Sequence, residues 1–389
     1  MRYSVTCLTP TLVGDGKKLS PIDYMVWKDQ VNVLDQHRIF KLLAKGPRLE
    51  SYLAQLRKAD KLDFASWGGF AQNFADRRIP FEHPSLTAFW NAQRGEGLFI
   101  PTFCAGPKGP YLPASALRGA VHTALMFSLW SDQTWRRISE KCQADRLPRF
   151  PAQPAEESTV GAPGTSRMRS FALADSTPVD RGNMKIFLIR VATLLTRGGK
   201  IELGWKQSPK GSVEARRVDE STALFCEMAD VGTRFEGEWF ERSLLQQPEV
   251  LKALGWRESI SVQNLVATAN AWSEKLLELH RQYAASAGLR LLDQNLESLQ
   301  NQLAEARNRP GTCLLCLGWG GGFLSKAANP NTDLENYRKI LRLFPSYTKA
   351  IQTGLPFPKT RRIVFLGGLP AWIPGWVRLQ FDLPEPRSS

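Results

Sequence analysis

Ser115, Arg118, Gly119 and His122 are spaced so that a helix through them would line them up on one stripe. Tyr111-Leu112-Pro113-Ala114 leads into the segment, and Leu117, Val121, Ala124, Leu125 and Leu129 recur at helical spacing. That pattern predicts the helix, with Ser115 as its N-cap. The free N–H groups and positive dipole end of a helix suit a phosphate. Gly119 would let another backbone approach closely. A capped surface helix with a solvated Arg and His gives the same pattern.

Gly318-Trp319-Gly320-Gly321-Gly322 is the second such feature, with Lys326 shortly after it. So many glycines cost backbone entropy, which makes sense where main chain meets a ligand. Trp319 is suited to stacking on a base, and Lys326 to a phosphate. The loop fits neither the G-x-x-x-x-G-K-[ST] nor the G-x-G-x-x-G pattern, so nucleotide-enzyme readings lack support. A turn with a buried Trp is the other reading.

Catalytic signals are sparse. The chain has four histidines, His37, His83, His122 and His280, and no H-E-x-x-H or nucleophile-elbow motif. His122 beside Arg118 could act as a general base in RNA cleavage. Asp15 and Asp23 could activate a metal or water, or simply cap turns. Cys313 and Cys316 form the lone C-x-x-C pair in an apolar run, which reads as a buried strand rather than a zinc site. No cofactor and no metal is expected.

The 389-residue chain carries 51 Lys and Arg against 37 Asp and Glu, a formal charge of +14. That excess favours polyanionic partners, nucleic acid before anionic membrane. No signal-peptide pattern and no long apolar span is present, so a soluble, cytoplasmic protein is expected.

Around these features, alternation predicts strands at 3–8, 185–195, 201–205, 213–218, 223–227, 312–317, 361–365 and 376–381. Helices are expected over 35–59 with a break at Gly46-Pro47, and over 262–307 with a break near Gly288. Residues 62–92 read as further helix and loop, and the Pro- and Ser-rich stretch 148–166 as a mobile loop. Arg197, Lys200, Lys206, Lys210, Arg216 and Arg217 suggest a long basic hairpin. We expect a core over 1–240 with a helical insertion near 35–92. A helix-rich second lobe would follow over 241–389.

Several landmarks occur in order along almost the whole chain. They are Leu8-Thr9-Pro10, Gly14-Asp15-Gly16, Leu19-Ser20-Pro21-Ile22-Asp23-Tyr24, the segment 111–120, Val231-Gly232-Thr233-Arg234-Phe235-Glu236-Gly237 and Leu317-Gly318-Trp319-Gly320-Gly321-Gly322-Phe323. Together they resemble the RAMP proteins of CRISPR systems, and in detail the family of the fifth Csm subunit of type III-A complexes.

The resemblance implies an α+β fold: an RRM-like, ferredoxin-like core with an antiparallel sheet, large helical insertions and a glycine-rich loop. It implies a guide-RNA (crRNA) binding subunit that caps the backbone filament near the guide's 3′ end and supports guide maturation. Expected partners are crRNA, target RNA, the other Csm-type backbone subunits and host nucleases, with no membrane. Target cleavage is not expected of it. Ala114 and Ala116 stand where the family often has Gly and Ser, and His122 where a basic Arg is common. The expected RNA-binding residues are Lys17, Lys18, Ser115, Arg118, Gly119, His122, Gly318, Trp319, Gly320, Gly321, Gly322 and Lys326. The alternative is a metal-independent endoribonuclease that processes guide RNA through His122 or Asp23.

Overall fold

A computed structural model describes residues 1–58, 60–62, 73–142, 149–207, 213–331, 335–352 and 354–383. The fold is α+β, built on two larger antiparallel sheets with helices packed against them.

The first strand, Arg2–Cys7, alternates buried Tyr3, Val5 and Cys7 with partly exposed residues. This period of two puts one face on a core. The strand lies in the middle of a five-stranded sheet, between Arg234–Glu241 and Trp376–Phe381. Thr312–Cys316 and Phe171–Leu173 form the edges of that sheet.

The second sheet is organised by the strand Met184–Arg197. Its Phe187 and Ile189 join the core under the first sheet, while Ile186, Leu188, Ala192 and Leu194 join a second core. A strand buried on both faces reads as a nearly continuous apolar run, as this one does. It pairs with Lys200–Lys206, Leu224–Ala229 and Thr360–Leu366. Both sheets therefore draw strands from either side of residue 240.

Helix Val262–Ser286 connects the cores. Ser261 caps it, accepting the Asn264 N–H at 3.2 Å. Leu265, Ala269 and Trp272 pack into the first core, and Leu276, Leu277 and Ala284 into the second. Gly288, at φ +67°, makes the turn into helix Arg290–Arg307. Asn270 also holds strand Thr312–Cys316 in place. Its Nδ2 donates to the Thr312 carbonyl at 3.0 Å, and its Oδ1 accepts the Leu314 N–H at 3.1 Å.

The insertion near 35–92 contains helices Gln36–Leu43 and Leu49–Lys58, broken at Gly46-Pro47 as expected. It also contains strand Ala75–Pro80, where helix and loop were expected. That strand joins Tyr24–Trp27 and Gln30–Leu34 in a small sheet. Arg77 fastens this sheet to the buried Glu227 through two bonds of 2.5 and 3.2 Å. Burial pushes the Glu227 carboxyl up despite that guanidinium. The stretch 148–166 is corrected in the same way: Gln153–Thr159 is helical, with Pro154 in its first turn. Pro, Ala and Glu there start a short helix rather than a linker.

His280 is completely buried, and burial holds its imidazole well below the usual range, with the Arg361 charge adding to the effect. Its folded-state pKa lies below the unfolded one, so its stabilising contribution is present above about pH 6.5 and lost as pH falls. Below that point this one proton should cost about 1.4 kcal/mol per pH unit. Urea unfolding of the wild type and His280→Gln at several pH values measures the term, and the variant should show the shallower acid slope.

Candidate nucleic-acid interface

Helix Ala114–Ser128 buries Leu117, Val121, Ala124 and Leu125 against the first core, which turns Ser115 and Gly119 outward. Pro113, not Ser115, occupies the N-cap position. The Ala114 N–H is taken by Asp175 Oδ1 at 2.7 Å. Paired bonds between residues 112 and 176 bring that carboxylate there: Leu112 N–H to Ser176 Oγ at 2.8 Å, and Ser176 N–H to the Leu112 carbonyl at 3.0 Å. The helix end therefore already faces an anion from the protein itself. Nothing in the local sequence signals a cap 61 residues away.

The glycine loop follows directly from strand Thr312–Cys316. Leu317 N–H donates to the Gly375 carbonyl at 2.7 Å, and Trp319 N–H to the Leu12 carbonyl at 3.3 Å. Gly318 has φ +74°, and a Cβ there would overlap the Leu12 carbonyl oxygen. A Cβ on Gly320 would overlap Pro374, and one on Gly321 would lie 2.5 Å from both Cys316 Sγ and Ser325 Oγ. At these three positions close packing within the protein itself requires glycine. Gly322, at φ +73°, is the more open position.

Trp319 is 36% exposed. The Arg362 guanidinium sits over its ring at 4.0 Å and donates to its carbonyl at 3.2 Å. One face of the indole is thereby covered by a cation. Arg362 was not singled out from sequence, where it reads only as part of a strand.

Ser115, Gly119 and Thr123 face Gly318, Ser325 and Lys326 across a cleft of about 320 Å³. The structure thus brings the helix start and the loop together. Lys326 is exposed at its rim.

The other expected residues are not on the cleft itself. Arg118 turns back into the fold, donating to the carbonyls of Phe171 at 3.0 Å and Met168 at 2.9 Å. His122 borders an adjoining recess with Arg118, Ser166 and Met168, and Ser115 and Gly119 line both this recess and the cleft. Burial lowers its imidazole, Glu156 opposes and Arg118 adds to the lowering, so it is a weak cation at neutral pH. Lys17 and Lys18 line a third cleft with Arg77 and Arg181, and Lys17 pairs with Asp15 at 2.7 Å.

The groups considered for catalysis have structural partners. Asp23 Oδ2 accepts the Ser20 N–H at 2.6 Å, and Asp15 accepts the Lys17 N–H at 3.1 Å. Burial pushes the Cys313 and Cys316 thiols up to about 12, as suits residues of a buried strand. The basic hairpin between Arg197 and Lys200 forms, but Glu202 lies near Arg197 at 3.8 Å, and Glu214 neutralises Lys206 at 2.8 Å. Lys210 lies outside the described residues.

No protein-family description and no curated protein matches the chain by sequence. Solved structures do match. One is a chain of a Csm–crRNA–target RNA ternary complex of a type III-A CRISPR–Cas system, solved by cryo-EM. It is 18% identical, with a TM-score of 0.68 over 98% of this chain and 100% of that one. Another is the crystal structure of T. onnurineus Csm5, 15% identical, with a TM-score of 0.60 over 96% and 99% of the two chains. The chain has a Csm5-type fold. Within this Csm5-type fold, no described helix is long and apolar enough to cross a membrane.

Proposed function

We propose that this chain is a non-catalytic, guide-RNA-binding subunit of a type III CRISPR–Cas effector complex. In this reading the sheet centred on Arg2–Cys7, with its packed helices, is an RRM-like core. The subunit caps the backbone filament near the guide's 3′ end and supports guide maturation beside other Csm-type subunits and target RNA. The observation that carries the proposal is the cleft in which residues 115–123 meet the loop and Lys326. A hydroxyl, an exposed glycine backbone and an ammonium group can follow a sugar–phosphate chain without reading bases. Specificity is then left to base pairing by the guide.

Lys326 supplies the phosphate charge and the Ser115 hydroxyl a hydrogen bond, while Trp319, backed by Arg362, offers its free face to a base. Arg118 positions the helix against residues 168–171 rather than gripping RNA. The test is fluorescence anisotropy of the full chain with labelled single-stranded RNA across a salt titration, with the RNA checked for cleavage. Salt-sensitive binding with intact RNA supports the reading. Metal-independent cleavage lost in His122→Ala would replace it with the ribonuclease alternative.

Asp175 gives a sharper expectation. Asp175→Asn keeps an acceptor for the Ala114 N–H but removes a negative charge beside the cleft, so RNA affinity should rise about two- to threefold at low salt. Asp175→Ala should instead cost about 1 kcal/mol of stability through the lost cap. Anisotropy and thermal unfolding read the two effects separately.

A further inference from the structure

The face of the glycine loop turned away from the cleft encloses a second cavity, of about 210 Å³. Lys206, His280, Gly320–Gly322, Arg361 and Arg362 line it. Its charge balance is unusual for a buried place. Arg361 is 8% exposed, and it donates only to neutral acceptors: the Pro358 carbonyl at 2.6 Å, the Thr360 carbonyl at 2.9 Å and His280 Nδ1 at 3.1 Å. Arg362 meets the Trp319 ring and carbonyl. Neither guanidinium pairs with a carboxylate among the described residues. One carboxylate, Glu214, serves both Lys206 at 2.8 Å and Lys359 at 2.9 Å. The two lysines share one carboxylate, and the two guanidinium groups have none among the described residues. A buried charge in that condition is costly unless a counter-ion is supplied.

His280, which lines the cavity, adds an unpartnered donor. Its Nδ1 accepts from Arg361, so its proton is on Nε2. That Nε2–H is buried and has no partner among the described residues. Buried donors are almost always satisfied, and an orphan one calls for a ligand or water. Guanidinium forks, an ammonium, an imidazole N–H and glycine main chain together make a donor set for a tetrahedral oxyanion.

We propose that this cavity is a phosphate site, closed on one side by the glycine loop. It takes one phosphate group, either that of a strand passing over the loop or that of a free phosphate compound. The proposal deepens the RNA-binding reading and rests on it only for the strand as the source. Occupancy would tie the loop to strand Thr360–Leu366 through Arg362 and stiffen the cleft from behind.

Calorimetric titration of the full chain with inorganic phosphate, uridine 5′-monophosphate and a trinucleotide RNA tests it. Arg362→Gln is compared with Lys275→Gln, a partly exposed change of the same charge outside the cavity lining. Arg362→Lys keeps the charge, and circular dichroism checks each fold. At least one probe should bind, with affinity lost about tenfold or more in Arg362→Gln and partly restored in Arg362→Lys. Binding of the trinucleotide alone assigns the site to a strand. Binding of inorganic phosphate or the monophosphate as well assigns it to free phosphate compounds. No binding by any probe, or equal affinity in Arg362→Gln and Lys275→Gln, overturns the proposal. Lys326→Glu separates the two readings: it should weaken long RNA while leaving inorganic phosphate unaffected.

Discussion

Gly318→Ala is expected to lower stability by about 3 kcal/mol or more, whereas Gly322→Ala should cost about 1 kcal/mol. Both glycines have a positive φ, +74° and +73°, so left-handed strain is common to both. They differ in what a Cβ would meet. At Gly318 it would meet the backbone carbonyl of Leu12, which cannot swing aside as a flexible side chain can. The Trp319 N–H also bonds that carbonyl, so moving it breaks the hydrogen bond that seats the loop. At Gly322 the nearest atom is Arg362 Nη1, 3.7 Å away. Urea unfolding of the two variants checks the contrast. Equal losses would mean that strain, and not close approach, sets the cost.

The second large effect is on binding. Lys326→Glu should weaken single-stranded RNA binding by about tenfold or more at moderate salt. The slope of log affinity against log salt should also fall by roughly 0.7, the value for one lost phosphate contact on a single strand. Lys326 is exposed, so this change should leave thermal stability nearly unaltered. Arg118→Gln should show the opposite profile. It removes two bonds to the carbonyls of residues 168 and 171, so stability should fall more than affinity. Anisotropy and calorimetry on the same samples separate the two.

Periodic segments were legible from sequence. The apolar run at 185–195 became the two-faced strand Met184–Arg197, and the leucine pattern over 262–307 became two helices broken at Gly288. Such patterns survive because each element buries a face set by its own repeat. Strand Ala75–Pro80 was not legible, because Arg77 and Arg78 masked a strand whose charge is matched by Glu227, 150 residues away. For the site, sequence supplied the helix start and the loop but not their shared cleft. Nor could sequence show that Arg118 also bonds the carbonyls of residues 168 and 171, or that His122 is half-buried beside it. Asp175 and Arg362 were invisible because their roles arise through tertiary contacts.

The most direct test of the account is photo-cross-linking of the full chain to a single-stranded RNA carrying 4-thiouridine, with the cross-linked peptides mapped by mass spectrometry. The account predicts cross-links concentrated on residues 115–123 and 318–326. Cross-links confined to other surfaces, such as helices Gln36–Leu43 and Leu49–Lys58, would contradict it.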